Sequence, residues 1–456
     1  MAAFGVCNGR LAEGHCGYTA VSDVPQASSD LPRATLAALM LAVFAVSVGF
    51  GILLPLLPYQ IERLLGAGVE VTQVSWHTGL LTAVYTLSLF LFAPLWGRIS
   101  DRRGPRGVLL VGLIGLGATL LAFSFVENLA AIYAERFLSG MFAAAVTPVA
   151  AAVIGNFTMT EQHHARRLSF ISMAGITGFL LGPMLGVFVT RFSKFLSLSN
   201  TSGSVATPLV ATSLLALFAA STIAIAVPSR GVYEGSQKTD GTWVDESTWL
   251  VPKLLILSFI VSAGIGVFEV GIALRGKQEL GLTQYQIALM FTECSFVMFL
   301  VQAIVFSPWA KPEMTRWLIA PAFAVMAAGL YLVPRATDFM VMLVVIGAVA
   351  ASAGILSPIL TYWISRMAGK ARGAELGKQT AAASLGATVG SAVGGLLFDV
   401  TLVPGASFLL VTALSLLGVA LSLGLPRRLV TRIFGGGALQ EGAAIAASPA
   451  THERGR

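Results

Sequence analysis

Long apolar blocks, separated by short polar segments, constrain the fold of this chain more than any other feature of its sequence. Each block is about 20 residues long, which is the length that a helix needs to cross the hydrocarbon core of a membrane. Of the 456 residues, 56% are hydrophobic and 11% are charged, whereas a soluble chain is about 25% charged. We therefore predict an all-α integral membrane protein rather than a soluble enzyme or a disordered chain.

Twelve of these blocks follow one another, six on each side of a polar stretch. We expect the first six spans at Ala34–Leu57, Trp76–Trp96, Gly107–Phe125, Ala130–Ile154, Ser169–Thr190 and Pro208–Val227. We expect the other six at Leu250–Leu274, Tyr285–Phe306, Arg316–Val333, Asp338–Ile364, Gln379–Phe398 and Pro404–Leu425. The predicted divisions are an N-terminal tail (1–33), a first six-helix half (34–227), a central loop (228–249), a second six-helix half (250–425) and a C-terminal tail (426–456).

Glycine and proline patterns recur between the two predicted halves at nearly the same offset. Pro94 and Pro308 are 214 positions apart (308 − 94), and Gly175 and Gly386 are 211 apart (386 − 175). Matching features at one offset predict two pseudo-symmetric halves with a common plan. The alternative is chance, because glycine-rich helices are common in membranes.

Lysine and arginine residues predict how the spans are oriented. If the N-terminus is cytoplasmic, the cytoplasmic segments carry 22 of the 29 basic residues, the outer segments carry six, and Arg136 lies within a span. Basic residues concentrate on the cytoplasmic side of membrane proteins. Both termini are therefore predicted to be cytoplasmic, in a multi-pass protein of the plasma (inner) membrane. The same distribution accounts for the net charge of +7 without nucleic-acid binding.

The segment after the second span carries a pattern of glycine, acidic and basic residues. Its members are Gly97, Asp101, Arg102, Gly104 and Arg106. The glycines permit a tight turn. The pattern resembles the G-x-x-x-D-R-x-G-R-R signature of the major facilitator superfamily, with Pro105 in place of one basic residue. The resemblance implies a latch in which the acid and the bases join the two halves in one access state. The alternative is a loop that is basic for reasons of topology alone.

The fourth span contains a charge that is expensive to place in a membrane. Arg136 is followed by Gly140 on the same helical face, and an arginine at a helix centre costs roughly 2.5–3.5 kcal/mol on insertion scales. The pattern resembles the R-x-x-x-G motif that the same family links to proton coupling. Glu135 is adjacent, but neighbouring positions on a helix do not face each other, so an ion pair between them is not assured. The alternative is a structural charge that is satisfied between helices.

The fifth span carries a glycine and proline motif formed by Gly178, Gly182, Pro183 and Gly186. Pro183 removes one helical hydrogen bond, and the glycines allow a neighbouring helix to approach closely. The motif resembles the G-P-x-x-G-G element that marks the antiporters of the family, chiefly drug/proton exporters with twelve spans. The alternative is close helix packing without a functional meaning.

Two carboxyl groups are also predicted within the membrane, Glu269 in the seventh span and Glu293 in the eighth. Removal from water favours the protonated form of a carboxyl group, which can then carry a proton. We predict that Glu269, alone or together with Glu293, is a proton site or a cationic-substrate site. The alternative for each is an uncharged carboxyl group held by hydrogen bonds between helices. Aromatic residues such as Phe50, Tyr85, Phe90 and Phe268 are candidates for pocket lining, although aromatic side chains in spans more often serve packing.

The resemblance implies a secondary transporter with the major facilitator fold, which exports a small organic or drug-like molecule in exchange for protons by alternating access. Its partners would be that substrate, protons and the lipid bilayer, without a cofactor, a metal or nucleic acid, and a monomer is the family's usual state. The nearest alternative is a proton symporter or facilitator that imports a metabolite on the same fold. Two alternatives of other classes are a membrane enzyme, for which no catalytic cluster is found, and a non-transporting scaffold or receptor.

Overall fold

The computed structural model describes residues 32–66, 69–155, 161–195, 206–227, 250–305, 312–367, 372–399 and 405–425. These residues form α1 (Arg33–Leu53), α2 (Leu57–Leu65), α3 (Val71–Arg103), α4 (Pro105–Phe123), α5 (Leu129–Ala143), α6 (Thr147–Gly155), α7 (Glu161–Phe195), α8 (Ala206–Ala226), α9 (Leu250–Gln278), α10 (Gln284–Val305), α11 (Ile319–Leu332), α12 (Phe339–Met367), α13 (Arg372–Leu396) and α14 (Ala406–Ser422). Short 3-10 helices, Pro312–Leu318 and Val333–Arg335, flank α11. The predicted tails (apart from Pro32 and Arg33) and the predicted central loop lie outside the described residues.

Ten helical stretches in these ranges are long and apolar enough to cross a membrane. They comprise α1, α3, α4, α5 together with α6, each helix from α7 to α10, α11 together with its flanking 3-10 segments (Thr315–Arg335), and α12. Helix α14 is apolar but has 17 residues, and α13 is rich in glycine, alanine and serine. The prediction of an all-helical, multi-pass membrane protein is confirmed to this extent, and the count of twelve spans stays a prediction.

Prolines interrupt two spans that the sequence analysis treats as single helices. Helix α1 ends at Leu53, and α2 begins at Leu57 with Pro58 in its first turn. The fourth span is likewise divided between α5 and α6, with Pro148 at the second position of α6. Because proline has no N–H group, the helix loses its bond to the carbonyl four residues earlier. The fourth span still agrees with one membrane-crossing stretch, Leu129–Ile154, whereas the first such stretch ends at Leu53 rather than at the predicted Leu57.

The predicted loop after the second span is mostly helical. Helix α3 continues for 33 residues to Arg103, so Gly97 and Asp101 lie within it rather than in a turn. The direction of the chain changes at Gly104, whose φ of 88° is a left-handed value that favours glycine. Pro105 then begins α4, since proline suits the first position of a helix.

The buried apolar side chains form two large clusters. One is drawn from residues 38–227, and the other is drawn from residues 254–425, with Leu54 as its only member from the earlier part of the chain. Helix α13 packs against α3, and α10 packs against α7, so these two pairs join the parts of the chain that carry the clusters. At one point the helices α3 and α13 are in backbone contact, because a Cβ atom on Gly79 would lie 2.6 Å from the Cα of Gly395.

Several polar contacts join the two parts of the chain at one end of the bundle, which we name the α2 end because α2 lies there. The hydroxyl of Tyr59 donates to the carbonyl of Leu282 (2.8 Å), between α9 and α10. The hydroxyl of Thr72 donates to the carboxylate of Asp399 (2.6 Å). At the α2 end the two parts of the chain are therefore joined by hydrogen bonds as well as by packing.

Candidate functional site

The side chains of Glu135 and Arg136 form a buried ion pair on α5. The Nε atom of Arg136 donates to Oε2 of Glu135 at 2.8 Å, and Nη2 donates to Oε1 at 3.0 Å. The two residues are 5% and 2% exposed. The sequence analysis left this pair open because adjacent positions point in different directions. Both side chains are long enough to turn back toward each other, and burial strengthens the attraction between their charges.

Aromatic rings enclose the guanidinium group of this pair. Its Cζ atom lies 5.5 Å from the ring centroid of Tyr85 on α3 and 5.4 Å from that of Phe123 on α4. Gly140, one turn after Arg136, allows α5 to come this close to α3, because a Cβ atom there would lie 2.8 Å from the Cβ of Ser88. The R-x-x-x-G spacing thus has a direct structural role: the glycine brings the arginine next to Tyr85.

Tyr85 also belongs to a stack of three aromatic rings, which we name the aromatic cluster (Phe50, Tyr85 and Phe179). The ring of Phe50 stacks on Tyr85 with centroids 5.0 Å apart, and on Phe179 with centroids 5.8 Å apart. Phe50 packs against both hydrophobic clusters, and Phe179 packs against the cluster of residues 254–425. The aromatic cluster therefore lies where the two parts of the chain meet, with the ion pair behind Tyr85.

The structure brings together two of the four aromatic residues that the sequence suggested. Phe50 and Tyr85 belong to the aromatic cluster, whereas Phe268 is buried within the cluster of residues 254–425. Sequence reasoning missed Phe179, although it lies inside the fifth-span motif between Gly178 and Gly182. Its position directly between two close-packing glycines was the signal that could have identified it.

The two other intramembrane carboxyl groups, Glu269 and Glu293, do not take part in the ion pair. Glu269 on α9 is partly buried and has no hydrogen bond or ion pair with any described residue. The Oε2 atom of Glu293 on α10 is enclosed and has no hydrogen-bond partner, and its Oε1 atom lies against Gly347 of α12. The partner of Arg136 is thus Glu135 rather than Glu269.

The fifth-span motif lies in α7 and faces α1. A Cβ atom on Gly182 would lie 2.9 Å from the carbonyl oxygen of Val48. Conversely, a Cβ atom on Gly51 would lie 3.3 Å from the Cδ of Pro183. A Cβ atom on Gly186, by contrast, would meet only side chains, the nearest at 3.5 Å. The motif therefore holds α1 and α7 together, directly beside the aromatic cluster.

The predicted latch residues lie at the end of the bundle opposite to the α2 end. Asp101 and Arg102 are exposed, and Asp101 has no hydrogen bond or ion pair with a described residue. Arg106 donates to the carbonyl of Ala224 and so joins the start of α4 to the end of α8. This contact lies within the first part of the chain, and among the described residues Arg106 makes no hydrogen bond or ion pair with the second part.

Comparison with known proteins agrees with this architecture. The sequence profile of the Major Facilitator Superfamily matches residues 39–350. Multidrug resistance protein 1 of Bacillus subtilis is 26% identical over 399 residues, which are 85% of this chain and 95% of that protein. Multidrug resistance protein 2 of the same organism is 25% identical over 372 residues, which are 79% of this chain and 88% of the relative.

Two further proteins extend the comparison. The quinolone resistance protein NorA of Staphylococcus aureus is 25% identical over 359 residues, which are 78% of this chain and 88% of that protein. The crystal structure of the human organic anion transporter MFSD10 superposes with a TM-score of 0.66 at 19% identity, over 86% of this chain and 99% of the other. These similarities support a transporter of the drug/proton antiporter-like subgroup rather than an enzyme. The chain belongs to the major facilitator superfamily and is a multi-pass membrane transporter.

Proposed function

We propose that this protein exports a small organic molecule in exchange for protons, by alternating access between two six-helix halves of a twelve-span bundle. The names of the bacterial relatives support export, since they are drug resistance proteins. The separation of the buried apolar residues into two clusters supports two halves that move relative to each other. In this arrangement α13 and α14 are the last two spans.

The observation that carries the proposal is the position of Tyr85 between a buried charge pair and an aromatic stack. One neighbour of its ring is the guanidinium of Arg136, and the other is the ring of Phe50. A buried ion pair contributes little to stability compared with apolar packing, so its presence favours a functional use. The aromatic cluster offers flat apolar surface to a substrate that has aromatic or apolar parts.

This arrangement gives protons a route to influence the substrate site. When Glu135 binds a proton, Arg136 loses its counter-charge within a region of low dielectric constant. The guanidinium then has to find other partners, and its contact with Tyr85 changes with it. Protonation of Glu135 on α5 is thereby coupled to the arrangement of the rings in the aromatic cluster, at the junction of the halves.

Glu269 and Glu293 are the second set of proposed proton or cation sites. Neither carboxyl group has a hydrogen bond or ion pair with a described residue that would fix its charge state. A carboxyl group in a membrane without a fixed partner can gain and lose a proton as the cavity changes its exposure.

The proposed orientation follows the distribution of basic residues. Both termini lie in the cytoplasm, the α2 end faces outward, and the protein is a monomer of the plasma (inner) membrane. The structure then corresponds to a state that is closed toward the outside. Asp101 and Arg102 would form the inter-half latch in the other access state, in which the cytoplasmic side is closed.

Transport in inverted membrane vesicles tests the function. Vesicles with the protein should accumulate members of a panel of fluorescent aromatic cations and anions when the interior is acidified, and an uncoupler should abolish this accumulation. Export of a compound from the cell corresponds to uptake into such vesicles, so release of preloaded compound on acidification would instead indicate the symporter.

Glu269→Gln tests the role of the intramembrane carboxyl group in the same vesicles. We expect loss of pH-dependent transport, because glutamine cannot bind and release a proton. Glu127→Gln, at an exposed position between α4 and α5, is the matched control. Unchanged pH-dependent transport in Glu269→Gln would remove this residue from the mechanism.

A further inference from the structure

Lys277, in the last turn of α9, makes three contacts with α2 across the junction between the two parts of the chain. Its ammonium group donates to the carbonyl of Pro58 at 2.9 Å. It forms an ion pair with the carboxylate of Glu62 and lies 4.8 Å from the ring centroid of Tyr59. The Lys277 side chain is 12% exposed, so the charge is largely withdrawn from water. Charge-assisted contacts of this kind are stronger than contacts between fully exposed groups.

The neighbours of Lys277 extend this connection. The Ser75 hydroxyl on α3 shares its hydrogen between the carbonyl of Val71 (3.0 Å) and the side-chain oxygen of Gln278 (3.3 Å). The hydroxyl of Tyr59 donates to the carbonyl of Leu282, just after α9. Burial, followed by the nearby charge of Glu62, raises the pKa of Tyr59 above its ordinary value, so this hydroxyl stays protonated and remains a donor. Lys277 and Gln278, which are consecutive in α9, thus contact α2 and α3 respectively.

The prolines around α2 separate this helix from α1 and so position it for the contact with Lys277. Because α1 ends at Leu53, the three residues before α2 redirect the chain, and the carbonyl of Pro58 is left near the end of α9. Lys277 is in the last turn of α9, where a positive charge also interacts favourably with the helix dipole. In one position, the ammonium group therefore interacts with the dipole of α9, with the Pro58 carbonyl and the Glu62 carboxylate of α2, and with the Tyr59 ring.

We propose that Lys277 is the main polar closure of a gate at the α2 end, and that its contacts with Pro58, Tyr59 and Glu62 break each time this end opens. The inference rests on the proposed alternating access, but it assigns a role to residues outside the intramembrane charges and the aromatic cluster. Removal of the lysine side chain shifts the protein toward the state that is open at this end.

Labelling of a single thiol measures the opening without any transport. Ser75 is fully buried next to Gln278, so Ser75→Cys should react with a maleimide only when the gate opens. Cys7 and Cys16 are replaced by serine and Cys294 by alanine in this background. Detergent-solubilised protein is used, so that the result does not depend on orientation in the membrane.

Lys277→Met should increase the labelling rate about tenfold, the factor that corresponds to a loss of about 1.4 kcal/mol from the closed state. The matched control is Arg335→Met. Arg335 is a cation at the same end, and its hydrogen bond to the carbonyl of Tyr331 (2.7 Å) and its contact with the Tyr331 ring (3.7 Å) stay within the second part of the chain. This control should label at the rate of the parent.

Equal labelling rates in Lys277→Met and the parent, or an equal increase in Arg335→Met, would overturn the gate. A lower thermal stability of Lys277→Met without faster labelling would do the same, because it would indicate a merely structural role. If Lys277→Met does not fold, Glu62→Gln tests the same contact at a half-exposed position and should give a smaller increase.

Different results would contradict the gate hypothesis and the proposed function. Faster labelling of Lys277→Met in a protein that transports none of the compounds would support the gate and contradict drug export. Robust transport together with an unchanged labelling rate would support export and reject the gate.

Discussion

Glu135 and Arg136 are adjacent in the chain and yet form a two-point ion pair within the membrane region, with Nε–Oε2 and Nη2–Oε1 distances of 2.8 and 3.0 Å. The pair neutralises itself on one helix, so no other helix has to supply the counter-charge of Arg136. Its contacts with neighbouring helices are instead aromatic, through Tyr85 and Phe123. A change in the charge of one partner therefore acts first on these rings.

We expect Glu135→Gln to destabilise the protein by about 3 kcal/mol, because it leaves the buried guanidinium without a counter-charge. Transport should be lost as well. The thermal unfolding midpoint in detergent measures the first effect. The double variant Glu135→Gln/Arg136→Gln should regain most of the stability without regaining transport. A single variant as stable as the parent would show that the pair is not needed to hold the charge.

The glycines of α7 should differ sharply in their tolerance of a methyl group. Gly182→Ala places a Cβ atom 2.9 Å from a backbone oxygen of α1, which cannot yield without moving the helix. We expect a loss of about 2 kcal/mol, typical of an overpacked contact. Gly186→Ala meets only side chains at 3.5 Å or more and should be close to neutral. Thermal unfolding of the two variants compares them, and equal midpoints would contradict this account of the motif.

Gly347→Ala should displace the carboxyl group of Glu293. The new Cβ atom would lie 2.8 Å from Oε1 of Glu293, which is closer than a carbon and an oxygen atom normally approach. If this carboxyl group takes part in transport, we expect a reduced rate that Glu293→Asp, with its shorter side chain, partly restores in the double variant. Gly107→Ala, with nothing within 4 Å of its Cβ atom, is the control. Full activity of Gly347→Ala would argue against any role that depends on the present position of Glu293.

Gly79→Ala should prevent α3 and α13 from closing on each other. The added Cβ atom would lie 2.6 Å from both the Cα of Gly395 and the carbonyl oxygen of Ser391, which belong to backbone. We expect transport to fall at least about tenfold, since a clash with rigid backbone costs more than about 1.4 kcal/mol. Vesicle transport per molecule of inserted protein measures the effect. Activity near that of the parent would mean that this contact is not needed in the cycle.

Much of the fold could be predicted from the sequence, because the membrane demands long apolar helices. The positions of the ten helical stretches follow from the apolar blocks. The helix breaks before α2 and α6 could not be predicted from the sequence, although it contains Pro55, Pro58 and Pro148 at these places. A proline reveals a lost hydrogen bond, but packing decides whether the helix continues, as it does through Pro183 in α7.

The candidate site was predictable in its residue types and not in its pairings. Arg136 and three glutamates could be selected as candidates because placing a charged side chain within a membrane span costs free energy. The pairing of Arg136 with its neighbour depends on side-chain rotamers, which the 3.6-residue periodicity of a helix does not specify. The place of Phe179 in the aromatic cluster depends on how α1, α3 and α7 pack, and Lys277 gave no intramembrane signal because it lies at a helix end.

Helix α3 is unbroken from the Gly79 crossing to Arg103, a distance of about 36 Å for 24 residues. The helix continues through Pro94, so a tilt with the Gly79 crossing as pivot would move its far end, which carries Asp101, Arg102 and Arg103. A tilt of about 10° at the pivot would swing that end by about 6 Å, enough to make or break a side-chain contact. A change at the Gly79 crossing would in this way move the charges at the opposite end of the bundle.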